Sequence, residues 1–265
     1  MRKGGKMLKL GIVQFAAIEG DVEGNCAHFE HEVKKYSGKD LDLLCFPELC
    51  ISGYKFEKGK LLDERAYVSG LAARYAQPIL AGVQSVHEGK CYDAVCLWDE
   101  TGELVGEYKK IHLWATENDY FDRGDELITV DFRGWKIGML ICADLGFAEI
   151  STPLALDKGA DVIFYPSAWG YGWEELFSGC GRTRAAENQV YTVALNRACG
   201  DEKYCGNSTV SGPDGTVLLR LQTTGEAYGE VILEKGKLEE AREGIPWRKM
   251  KQPEIYRQIA ENTKS

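Results

Sequence analysis

The sequence predicts a layered α/β fold built on mixed sheets. Three observations carry that expectation. Apolar runs of strand length recur along the 265 residues. Helical patterns separate some of these runs, which calls for parallel crossovers. Short Gly- and Pro-containing turns join others directly, which calls for hairpins. The length and a hydrophobic fraction of 44% suit one large domain, 1–265, rather than two independent ones.

The elements follow in order. A first strand is expected at 10–15, then a helix over 25–36 that sets Phe29, Val33 and Tyr36 at helical spacing. Strand 41–46 ends at Pro47, which has no N–H to give to a sheet ladder. A helix at 62–76 leads to strands at 79–83 and 94–98, and Glu100-Thr-Gly102 marks a hairpin turn. An extended run over 107–114 places Tyr108, Lys110 and His112 on one face. Strands 127–132 and 135–142 flank the turn signal Arg133-Gly134. A helix at 150–158 precedes strand 161–166, which reads as parallel and buried. Helix 173–189 and strand 190–196 follow, then strands 209–211 and 217–221 around Pro213-Asp-Gly215, and a last strand at 227–233. Beyond Gly236 the chain turns polar. The tail 243–265 cannot build its own core and is expected to pack on the domain or on a partner subunit.

A net charge of −9 argues against a nucleic-acid or anionic-membrane surface. No run approaches the roughly 20 apolar residues of a membrane span. The basic start, 1–7, leads into an apolar run broken by Lys9, Gly11 and Gln14, which reads as a strand and not a signal peptide. Nine cysteines, an odd number, suit free thiols in a reducing cytoplasm. Cys45/Cys50 and Cys91/Cys96 share a C-x4-C spacing, but both pairs sit in apolar runs with no second pair nearby, so they read as core rather than metal ligands. No cofactor motif is present.

Three ionisable residues fall at the ends of sheet segments. Cys142 closes an apolar strand just before a turn with Asp144 and Gly146, the kind of position where α/β enzymes expose a nucleophile. Glu48 follows the Pro47 strand end, and Lys110 lies on the 107–114 run. A thiol, an acid and a cation suffice for nucleophilic attack on an amide or nitrile carbon. Lys110 would favour the Cys142 thiolate, and Glu48 would carry the proton. Lys110 and the Ala143 N–H would hold the oxyanion. Asp144 reads as a cap for the helix that follows.

In this order the three segments resemble the motifs of the nitrilase superfamily of carbon–nitrogen hydrolases. Phe46-Pro-Glu-Leu-Cys-Ile-Ser-Gly-Tyr54 is similar to its glutamate motif, Tyr108-Lys-Lys-Ile-His-Leu113 to its lysine motif, and the segment 138–149 to its cysteine motif. The resemblance selects Lys110 over Lys109. It makes Glu48, Lys110 and Cys142 the expected catalytic set. Glu117 is expected beside Lys110, with Tyr54, Ala143 and Trp169 supporting the site or binding substrate. It implies a four-layer α-β-β-α sandwich that assembles at least as a homodimer. The implied reaction is hydrolysis of a small linear amide or carbamoyl compound through a thioester.

Departures from the family pattern bear on substrate. Cys142-Ala-Asp144 replaces the Cys-Trp-Glu of true nitrilases, which disfavours nitriles. Gly146 stands where relatives acting on carboxylate-bearing substrates carry an arginine. Trp169, Tyr171 and Trp173 suggest an apolar or flat pocket. Three alternatives stay open: nitrile hydrolysis by the same residues, a Cys–His hydrolase using His112, and an inert binding protein on the same fold. A metal-dependent hydrolase is disfavoured by the lack of ligand spacing.

Overall fold

The computed structural model describes residues 6–56, 61–198 and 203–262. It contains two six-stranded mixed sheets. The first is built from β1 (Met7–Gln14), β2 (Leu43–Cys45), β3 (Ile79–His87), β4 (Lys90–Trp98), β5 (Leu104–Lys109) and β12 (Ala227–Glu234), in the order β12-β1-β2-β3-β4-β5. The second joins β6 (Thr129–Phe132), β7 (Trp135–Met139), β8 (Val162–Ser167), β9 (Tyr191–Asn196), β10 (Thr209–Ser211) and β11 (Val217–Arg220), in the order β11-β10-β9-β8-β7-β6. In each sheet the central pairs are parallel and the outer ones antiparallel. That is the mixture of crossovers and hairpins expected from the sequence.

Strand periodicity explains the layering. Along β2, β3 and β4 both faces are buried, so these strands read as continuous apolar runs. Leu43, Cys45, Leu80, Val95 and Leu97 face the second sheet and share a core with Ile137, Met139, Ile163 and Val193. The alternate residues Leu44, Ile79, Ala81, Ala94 and Cys96 pack outward against Phe29, Val33 and Leu71. Those last three belong to α1 (Val22–Tyr36) and α2 (Arg65–Tyr75), the outer layer of the first sheet. Asp21 caps α1 by accepting from the Gly24 N–H at 3.1 Å. On the second sheet the outer layer is α3 (Ala148–Leu156) and α4 (Glu174–Asn188). The result is the expected α-β-β-α sandwich.

Some boundaries differ from the sequence expectation. The extended run at 107–114 stops at Lys109, and a 3-10 turn at Ala115–Asp119 follows. β7 ends at Met139, so Cys142 lies in a second 3-10 turn, Cys142–Gly146. β3 and β4 meet through Glu88 and Gly89, whose φ angles of 51° and 79° fit a hairpin turn of the primed type. Three late helices, α5 (Lys235–Gly244), α6 (Trp247–Met250) and α7 (Pro253–Asn262), occupy the polar C-terminal stretch. The start of the tail is tied to the domain: Gln189 donates to the carbonyls of Ala241 and Ile245, and Arg248 to that of Ala155. Further on, Met250, Ile255 and Tyr256 are exposed. Among the described residues no helix is long and apolar enough to cross a membrane.

Candidate active site

Glu48, Lys110 and Cys142 all lie just beyond the C-terminal ends of strands, β2, β5 and β7. The sandwich closes these ends toward one another, and the three side chains are buried. Glu48 is held by a close backbone approach. Gly82 donates to the Pro47 carbonyl at 3.0 Å, and its own carbonyl accepts from the Cys50 N–H at 3.1 Å. A Cβ at Gly82 would sit 2.5 Å from the Glu48 Cα, so only glycine lets β3 run this near the loop.

Lys110 has no exposed surface. Its Nζ lies 2.6 Å from Glu48 Oε1, 2.8 Å from Glu117 and 3.0 Å from Asp93 Oδ2. The ammonium hydrogen-bonds Glu48 and Glu117, and it pairs with Asp93 by charge without a well-aligned hydrogen bond. Its backbone is fixed as well: the Lys110 N–H donates to Asp93, and its carbonyl accepts from Gly124, both through main-chain bonds. Burial alone would push Lys110 toward neutrality, but the surrounding negative charge holds it well above its ordinary value. Glu48 is lowered overall: burial raises it, and Lys110 outweighs that. Glu117 is raised by burial, against the pull of Lys110. The Tyr54 hydroxyl donates to Glu117 Oε1 at 3.0 Å, and the Trp114 N–H to Oε2 at 2.8 Å.

Cys142 stands at φ 45°, a left-handed conformation that costs a non-glycine residue about 1 kcal/mol or more. Asp144 holds the turn. Its Oδ2 accepts from the Ile141 N–H at 3.0 Å and the Tyr108 hydroxyl at 2.8 Å. Its Oδ1 faces the His112 N–H at 3.1 Å and the ring Nδ1 at 2.7 Å. Asp144 therefore caps the turn that carries Cys142 and ties it to the lysine segment, instead of capping α3, whose N-cap is Phe147. From the other side Arg184 donates to the carbonyls of Leu145 and Gly146.

The charge environment of the thiol differs from the sequence expectation. Burial pushes the Cys142 thiol well up and Glu48 adds to that, while Lys110 and a hydrogen bond from the Ala168 N–H pull it down. Lys110 is already matched by carboxylates, so it does not create a resting thiolate. His112 is engaged by Asp144 and stacked on Phe147 at 3.8 Å between ring centroids.

Trp169, the residue after Ala168, is half-buried. Its N–H donates to Asn196 Oδ1, and its ring packs on Phe177. Tyr171 and Trp173 stand out from the surface at 54% and 58% exposure. The side chain missed by sequence reasoning is Asp93. A lone acid in the apolar run Cys-Tyr-Asp-Ala-Val-Cys-Leu-Trp, 91–98, was the available signal, since an unpaired buried carboxylate is costly. Asp144 and Arg184 were likewise not read as braces of the nucleophile turn.

Oxygens of Glu48, Asp93 and Glu117 lie within 4.8 Å of one another, close enough to share a metal ion. The Lys110 ammonium already contacts all three carboxylates and supplies the positive charge there.

The fold and this constellation define an α-β-β-α sandwich that gathers a buried ammonium, its carboxylates and a cysteine at its strand ends. The family profile described as carbon-nitrogen hydrolase matches residues 9–243, and the chain belongs to that family. It is 32% identical over 225 residues to an (R)-stereoselective amidase of a Pseudomonas species, covering 80% of each chain. It is 28% identical over 248 residues to an omega-amidase of Escherichia coli strain K12, covering 90% of this chain and 94% of the relative. Its fold matches that of a carbon–nitrogen hydrolase from Helicobacter pylori G27 with a TM-score of 0.87 at 22% identity, covering 97% and 99% of the two chains. The chain is thus a hydrolase of the nitrilase superfamily.

Proposed function

We propose that this hydrolase releases ammonia from a small linear amide through a Cys142 thioester. One observation carries the reading. A wholly buried ammonium is clamped between Glu48 and Glu117, with Cys142 in its electrostatic reach on a strained turn. Glu48 takes the Cys142 proton as the sulfur bonds to the substrate carbonyl carbon. The carbonyl π electrons move to oxygen, where the Lys110 ammonium and the Ala143 N–H offset the charge. As the C–N bond breaks, Glu48 returns the proton to the departing ammonia. Glu48 then takes a proton from water, the hydroxyl adds to the thioester carbon, and the sulfur leaves and regains its proton.

Two features favour neutral amides. Ala143 follows the cysteine where true nitrilases carry Trp, and a side chain at Gly146 would meet no atom within 4 Å. Arg184, which braces that turn, is spent on backbone carbonyls and Glu187. No cation at Gly146 therefore waits for a substrate carboxylate. We take the whole chain, with its 243–265 tail, as a single hydrolase domain that works as a homodimer. The eight free cysteines among the described residues suit a reducing, cytoplasmic setting.

The test is an ammonia-release screen of neutral linear amides, dicarboxylic monoamides and nitriles, run on the wild type and Cys142→Ala. Quenched samples are weighed by mass spectrometry. Ammonia from a neutral amide, lost in the variant, with an acyl adduct mapped to Cys142, is the expected result. Turnover surviving in Cys142→Ala, or turnover confined to nitriles, would overturn the proposal.

A further inference from the structure

Building on the amidase reading, we propose that Asp93 is a neutral carboxylic acid whose proton bridges to Glu48, making it a positioning residue for the general base. The argument begins with charge. One ammonium faces three carboxylates in a pocket closed to water, so full ionisation leaves two uncompensated negative charges within a few ångströms. Carboxylates this close do not all ionise; one retains a proton.

Hydrogen-bond accounting says which one. Glu117 accepts from Lys110, the Tyr54 hydroxyl and the Trp114 N–H, a set that suits an anion. Glu48 Oε1 accepts the shortest of the Lys110 contacts. Asp93 is the poorest in donors: neither of its oxygens has a hydrogen-bond partner of good geometry. Glu48 Oε2 is likewise buried without a partner. A single proton on Asp93, donated to Glu48 Oε2, satisfies both orphan groups. Burial and the neighbouring Glu48 and Glu117 charges push Asp93 well up, in the same direction. The other ionisable groups facing it are Lys110, Tyr54 and Cys91.

The consequence for chemistry is specific. With Asp93 neutral, Glu48 is held by two donors, Lys110 on one oxygen and Asp93 on the other. Its remaining lone pairs point its basicity at the thiol. If Asp93 loses its proton at high pH, it repels Glu48 and competes for Lys110.

The experiment compares Asp93→Asn and Asp93→Ala with the wild type. Infrared spectra of the unliganded enzyme at neutral pH read the C=O stretch of protonated carboxylic acids, identified by its shift in D2O. The wild type should show a band that Asp93→Asn removes, beside a separate contribution from Glu64, which titrates near about 7 and stays in both. In turnover, Asp93→Ala should lower kcat roughly 10- to 100-fold with little change in KM. Asp93→Asn, a permanent donor of the same shape, should recover most of that loss and carry the alkaline limb of the kcat profile to higher pH. A missing band, or an Asn variant as impaired as the Ala variant, overturns the proposal. The infrared reading needs no substrate and no Ala variant that folds. It therefore stands or falls separately from the amidase reading.

Discussion

Glu64 offers a sharp test of how the Glu48 loop is supported. It is almost fully buried, and it bridges that loop to β3: its carboxylate hydrogen-bonds Ser52, its N–H donates to the Gln84 carbonyl and its Oε2 accepts from the Gln84 N–H at 2.8 Å. Burial pushes Glu64 up from 4.5 to about 7, against the Gln84 and Ser52 hydrogen bonds that favour the anion. In the unfolded chain the group ionises near its ordinary value, so between the two values the folded state holds the extra proton. Stability therefore falls as pH rises through that window and levels off above about 7. At about 1.4 kcal/mol per unit, the loss amounts to roughly 3 kcal/mol. Glu64→Gln, which is neutral at every pH, removes it. The variant should match the wild type near pH 4, below the ordinary value of 4.5, and melt roughly 6–12 °C higher above pH 8, at about 2–4 °C per kcal/mol for a chain of this size. Differential scanning calorimetry at fixed protein concentration, across that range, measures the gap. A gap that stays constant with pH would show that Glu64 does not titrate between the two states, and the reasoning would fail.

Two further predictions concern the site itself. Gly82→Ala places a Cβ 2.5 Å from the Glu48 Cα and 2.8 Å from the Pro47 carbonyl, both backbone atoms that cannot swing aside. It should cost about 2 kcal/mol in stability and lower kcat more than KM, read by urea titration and steady-state kinetics; an active, equally stable variant would mean the loop is not pinned there. His112→Ala should cost far less turnover than Lys110→Ala, because the ring is committed to Asp144 and Phe147. Equal losses in the two variants would favour a Cys–His mechanism instead.

The extent to which the site could be read in advance follows from the physics of each residue. Glu48 and Cys142 were legible because strand ends announce themselves: Pro47 stops one ladder, and a run of apolar residues stops at the other. Glu117 was placed only by family resemblance, since an acid in a loop looks the same whether it faces water or an ammonium. All three hairpins flagged by Gly next to a polar residue formed, at Gly102, Gly134 and Gly215. Around the hairpin near His87 the expected strands 79–83 and 94–98 stop short of the turn, because Glu88-Gly89 is a weaker cue than Asn-Gly. Helices α5 to α7 were missed because the stretch is polar overall and interrupted by Pro246 and Pro253, although Ile255, Tyr256 and Ile259 fall at helical spacing. Asp93, and the long-range contacts of Asp144, were missed for a shared reason. Asp93 meets Lys110 from another strand, Asp144 meets His112 and Tyr108 32 and 36 residues back, and no local pattern encodes those contacts.

The charge balance of the pocket also explains why the nucleophile can rest unreacted. An isolated lysine beside a cysteine would stabilise the thiolate and leave it open to oxidation or alkylation at neutral pH. Here the ammonium is shared among carboxylates, and the thiol beside it is raised by burial and by Glu48. On the proposed mechanism, the nucleophile is generated only when Glu48 removes the proton, and the ammonium becomes free to act on charge only when a carbonyl oxygen develops it. The same arrangement that costs desolvation in the resting protein therefore directs the favourable electrostatics toward the transition state rather than the ground state. The strained φ of Cys142 serves the same end, since Asp144 and Arg184 fix from opposite sides a turn that the backbone would otherwise relax.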